Sequence, residues 1–112
     1  MAFDEQTAGR VRTLLASEPR ISERRMMGAL VFMLGDHMAC GVNGTSLMVR
    51  VGATGYADAL GRPHARPMEM GNGRVMNGFV RIDAEGFSDD SALLAWLDVA
   101  KLYISTLPEK KR

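Results

Sequence analysis

The chain reads as an α+β domain of two layers, an antiparallel sheet with helices packed mainly on one face. Three observations predict it. Short apolar segments separated by glycine turns fill residues 21–51, an amphipathic helical pattern stands at each end, and no repeat or linker interrupts the 112 residues. The element order is helix, strand meander, short helix, two strands, long helix. That order suits a helix layer on an antiparallel sheet, not a parallel βαβ array. A chain of this length buries about two-thirds of its unfolded surface, so it holds a core without staples.

Asp4 is placed to cap a first helix reaching about residue 16, with Val11, Leu14 and Leu15 on one face. Glu18-Pro19 ends it. Strands are predicted at 21–27, 30–34, 38–42 and 46–51, with Gly28-Ala29 and Gly35-Asp36 as turns. Asn43-Gly44 predicts a type I′ hairpin turn, since both residues tolerate positive φ. The fourth strand alternates Leu47, Val49 and Val51 against Met48 and Arg50. Gly52 breaks the run, and a short helix is predicted over 54–60. Arg62-Pro63-His64-Ala65-Arg66-Pro67 reads as an extended, stiff connector. Strands at 68–70 and 79–82 flank a turn at Gly71-Asn72-Gly73, and Asp83-Ala84-Glu85-Gly86 reads as a further turn. Ser88 is the expected cap of the last helix, whose stripe is Leu93, Leu97, Ala100, Ile104 and Leu107, flanked by Trp96 and Tyr103. Pro108 stops it. The domain is therefore expected over 1–108, with 109–112 a charged tail.

Several strands are apolar on both faces, as in Leu30, Phe32 and Leu34 against Val31 and Met33. A sheet with one wet face alternates more cleanly. Three helices, one of them short, leave a second face that is expected to take another subunit or a partner protein.

The net charge of +1 hides an uneven distribution. Residues 20–81 hold eight arginines against four acids, and all three lysines fall in the last dozen residues. Arginine favours planar contacts with carboxylate or phosphate. The excess is modest for a nucleic-acid binder, so direct nucleic-acid binding is not favoured. A single cysteine excludes an intrachain disulfide and a CxxC pair. The polar start lacks signal-peptide character and the longest apolar run, 29–34, is too short to span a bilayer. These features predict a cytoplasmic protein without a membrane segment.

Eight methionines lie between Met26 and Met76. A thioether metal site using Met68 and Met70 beside Cys40 is one reading; adaptable core filling or a contact surface is the favoured one. No cofactor is expected. His37 and Cys40 stand three apart on a strand, hence on opposite faces. Cys40 with His64 is the alternative catalytic or small-ligand pair, against the inert buried thiol that a lone cysteine usually is. The 62–67 loop could present Arg62, His64 and Arg66 to an anion or acidic partner. Against that, its arginines could pair with Asp58, Glu69 or Asp83 at the surface. Arg24, Arg25, Arg50 and Arg74 could extend such a patch. Phosphate-loop, dinucleotide, metalloprotease, calcium-loop and nucleophile-elbow motifs are absent from the sequence.

Four segments together resemble the TfoX N-terminal domain family: Arg25-Met26-Met27-Gly28-Ala29-Leu30, Leu47-Met48-Val49-Arg50-Val51-Gly52, Arg62-Pro63-His64-Ala65-Arg66-Pro67-Met68, and Met76-Asn77-Gly78-Phe79-Val80. Met27 stands where the family often has phenylalanine, and Ala29 where it often has a second glycine. The founding members regulate natural competence in bacteria and carry a further C-terminal helical domain, which this chain is expected to lack. The resemblance implies a two-layer domain without enzymatic activity, a coactivator-like role beside a transcription factor, and contact through the matching arginines and His64. Taken together, a homodimeric regulatory or protein-interaction domain is expected, with Arg25, Arg50, Arg62, His64 and Arg66 as partner- or anion-contacting residues.

Overall fold

In the computed structural model, residues 3–26, 28–69 and 73–108 are described. The chain runs α1 (Glu5–Leu14), β1 (Ile21–Met26), β2 (Ala29–Leu34), β3 (His37–Asn43), β4 (Ser46–Arg50), α2 (Gly52–Leu60), β5 (Ala65–Glu69), β6 (Val75–Ile82), a 3₁₀ helix (Ala84–Phe87) and α3 (Asp90–Ser105). All strand pairs are antiparallel, in the order β1-β2-β3-β4-β6-β5. The expected α+β architecture and element order are those observed. The predicted strand ends at Met27 and Met70, the turn at Gly71-Asn72 and the tail 109–112 lie outside the described residues.

Local chemistry sets the ends of the elements. Asp4 caps α1 by accepting from Thr7 N at 2.9 Å and Thr7 Oγ1 at 2.7 Å, and these bonds hold its carboxyl below the ordinary value. The cap of α3 is Asp89, one residue later than expected, accepting from Ala92 N at 2.7 Å. Ser88 instead closes the 3₁₀ helix, which replaces the turn expected there. In the β3–β4 hairpin Asn43 is still paired, with Ser46, so the loop is Gly44-Thr45. Gly44 has φ +59° and Thr45 is not at positive φ, the pattern of a type II′ turn and not of the predicted I′.

Two further corrections concern the second half. The expected connector is partly strand: Ala65, Arg66 and Pro67 pair with Ile82, Arg81 and Val80. Proline is tolerated because β5 is an edge strand. β6 begins at Val75, four residues before the expected start, and carries a positive φ of 81° at Gly78.

The sheet separates two apolar clusters. On one face Leu30, Phe32, Cys40, Val42, Leu47, Val49, Val80 and Ile82 meet all three helices through residues such as Val11, Leu15, Ala59, Phe87, Leu93, Trp96 and Leu97. Arg10 ties α1 to the start of α3, donating to Phe87 O at 2.8 Å and to Asp90 at 3.1 Å. Arg12 grips Glu23 of β1 with two hydrogen bonds, which hold the Glu23 carboxyl low. The opposite face gathers Ala29, Val31, Met33, Met48 and Met68, with Met38, Met76 and Phe79 around them, and among the described residues no helix residue joins this cluster. Among the described residues no helix is long and apolar enough to cross a membrane.

Candidate functional site

The residues singled out in the sequence fall at four separate places. Arg25 is on β1, opposite Leu30 and so on the helix face, with its guanidinium carbon 5.4 Å from the Phe3 ring centre. Arg62 follows α2, lies 4.9 Å from the Trp96 ring centre and 3.9 Å from Asp58. Arg66 is on β5, at the other edge of the sheet and on the other face, bonded to Asp83 at 2.5 Å. Arg50 ends β4, stacked 5.8 Å from Phe79 and 5.6 Å from Tyr103, and donates to Met38 O at 3.4 Å. Five strand spacings separate β1 from β5, about 24 Å. The structure therefore does not assemble Arg25, Arg62 and Arg66 into one patch, and the surface pairings of Arg62 with Asp58 and Arg66 with Asp83 do form.

His64 is the only non-glycine residue among those described with positive φ, at 67°. Its carbonyl accepts from Asp83 N at 3.0 Å, which anchors the turn into β5 against the end of β6. Cys40 sits on β3, 1% exposed, within the helix-side core, and burial pushes its thiol up to about 12. Three strand spacings, about 14 Å, separate β3 from β5. Cys40 and the exposed His64 are thus not a nucleophile–base pair. Cys40 and Met68 lie on opposite faces of the sheet, so those two do not share a metal site either.

A cavity of about 330 Å³ opens beside the end of α3, lined by Glu18, Arg20, Asp36, His37, Lys101 and Leu107 among others. Its polar groups are engaged within the fold. Lys101 pairs with Asp98 at 3.2 Å and Glu18 at 3.4 Å, and His37 Nε2 is 3.1 Å from Pro108 O.

The helix-free face carries the more distinctive arrangement. One cross-strand row runs Arg24–Val31–Gly41–Met48–Arg81–Arg66, through all six strands. Arg50 and Phe79 form a neighbouring pair. Gly41 makes room there: a Cβ would lie 2.5 Å from Met48 Cε, which would have to swing aside, and 3.1 Å from Leu30 O. The Met48 side chain occupies the space a side chain at 41 would take. Val31 and Met48 are only 2% and 7% exposed although no helix covers them. Neighbouring side chains of the same sheet, Met38, Met76 and Phe79 among them, pack around this cluster. The second face, expected from the sequence to take a subunit or a partner, thus keeps its apolar centre buried.

Arg81 is the residue that sequence reasoning missed, and Arg24 entered it only as a possible extension of the loop patch. The alternation of Phe79 and Arg81 against Val80 and Ile82 carried the signal for Arg81. The partner strands that align it with Met48 and Arg66 are remote in sequence.

The fold and this face define a small α+β domain with one helix-packed side and one methionine-centred, arginine-rimmed side. The chain belongs to the TfoX N-terminal domain family, which matches residues 13–101. Among curated proteins and solved structures, none matches the chain.

Proposed function

We propose that the domain is a non-enzymatic regulatory module of the competence-regulator kind, acting in the cytoplasm by binding another protein chain through its helix-free sheet face. The observation that carries this is the Met33–Met48–Met68 cluster, which no helix packs against and which Arg24, Arg50, Arg66 and Arg81 surround. Methionine-rich centres adapt to varied partners, and arginine is favoured at protein interfaces. Family membership supports the regulatory reading. The buried, weakly acidic Cys40 thiol weighs against thiolate catalysis.

The test is affinity capture from the native host with the wild type and with Arg50→Glu plus Arg66→Glu. A partner retained equally by both would refute the assigned face. Light scattering on the purified domain tells whether the captured chain is a second copy.

A further inference from the structure

We infer that the helix-free face docks an amphipathic segment of a different protein, apolar in its middle and acidic at both ends, with one carboxylate seated on Arg81. This rests on the interaction-module reading above and specifies the partner. Three features of the Arg24–Val31–Gly41–Met48–Arg81–Arg66 row carry it.

The first is Arg81 itself. Its Nε is buried and, among the described residues, has no acceptor. Buried polar groups are almost always hydrogen-bonded, and the half-buried Arg81 side chain lets a docked carboxylate draw its guanidinium outward to bond it. Asp83, which directly follows β6, is engaged by Arg66. A carboxylate presents two oxygens in the geometry of the guanidinium fork.

The second is the charge pattern. The row ends in arginine on both sides, so a second copy docked face to face sets arginine against arginine in either two-fold orientation. Like charges across an interface disfavour it. An acidic partner meets complementary charge at both ends.

The third is the apolar centre. Val31, Gly41 and Met48 separate Arg24 from the Arg81–Arg66 pair by about 19 Å, four strand spacings. A nucleic-acid backbone repeats its phosphates continuously and gains nothing over that gap, and stacking platforms are confined to Phe79. A polypeptide bridges it with apolar side chains against Met38, Met76 and Phe79, the partly exposed members of that cluster. At 1.5 Å per residue a helix of about 16 residues spans the whole row.

The experiment is a display selection of random 16-residue peptides on immobilised wild-type protein. One enriched peptide is then synthesised and titrated against wild type, Arg81→Met, Arg24→Gln and Arg62→Ala, all checked for folding by circular dichroism. The expected pool is rich in Asp and Glu flanking Leu, Met or Phe. The expected peptide weakens at least tenfold with Arg81→Met, weakens with Arg24→Gln and with added salt, and is indifferent to Arg62→Ala on the helix side.

A neutral or basic pool that is still displaced by Arg81→Met or Arg24→Gln overturns the acidic class while leaving the face as the contact surface. Binders indifferent to both variants, or no enrichment over a blank surface, overturn this inference. Indifference also to Arg50→Glu plus Arg66→Glu overturns the wider reading. Duplex DNA that binds the same face more tightly than the peptide overturns the polypeptide assignment.

Discussion

Arg81 and Arg66 face each other directly across β5 and β6, two guanidiniums on neighbouring strands with one carboxylate, Asp83, serving Arg66. Like charges opposite one another in a sheet destabilise it, and a buried nitrogen without an acceptor adds to the cost. Both costs fall on the free domain.

Replacing Arg81 by methionine is expected to raise the stability of the free domain by about 1 kcal/mol, because an unpartnered buried donor is removed and an apolar stem retained. Urea unfolding checks it. A lower midpoint would mean that Arg81 is satisfied in solution by a contact that outweighs the repulsion.

Asp83→Asn removes the carboxylate that shields Arg66 from Arg81. Arg66 is 61% exposed in its side chain, so the loss is small, about 0.5 kcal/mol, and it grows as salt is lowered. In the Arg81→Met background the effect of Asp83→Asn should shrink, a coupling that a double-mutant cycle measures.

Cys40 sets a limit at high pH. Its folded-state thiol titrates at about 12 against 9.0 for a free thiol, so the unfolded chain loses the proton first. The group makes no pH dependence below about 9. Between there and about 12 it withdraws up to ~1.4 kcal/mol of stability per pH unit. Cys40→Ala is expected to flatten that slope in pH-dependent urea titrations. A disulfide reagent at pH 8 should label Cys40 only after denaturant is added; prompt labelling of native protein would contradict the burial.

Gly52 opens α2 at φ +78°, and a Cβ there would lie 2.2 Å from Tyr103 Cε1. Gly52→Ala combines left-handed backbone strain with a clash against α3. A loss of about 2 kcal/mol or more is expected in thermal or urea unfolding. Tyr103 also stacks on Arg50, so the same substitution should disturb the Arg50 end of the helix-free face.

Much of this fold was legible in the sequence because it is local. The meander from β1 to β4 follows from glycine turns and apolar alternation, and Leu47, Val49 and Val51 do face the helices while Met48 faces away. Where the reading failed, a distant partner decided. Ala65-Arg66-Pro67 looks like a connector until β6 lies beside it, and residues 75–78 carry too mixed a pattern to announce a strand. The turn type failed for another reason: Asn43 is taken up by its pair with Ser46, leaving Gly44 to begin the loop. Of the candidate residues, Arg50 and Arg66 lie on the helix-free face. Arg25 shares the side chain chemistry but faces the other way, a difference set by the one-residue alternation of β1.

The insertion of β6 between β4 and β5 has a consequence for synthesis on the ribosome. The first four strands can zip together as they emerge, each beside its predecessor. β5 has no such neighbour: among the described residues its sheet partner is β6, which is made after it. Until residue 82 has left the exit tunnel, β4 remains an open edge and β5 an unpaired segment. The last-made strand covers both at once and takes the sheet from four strands to six.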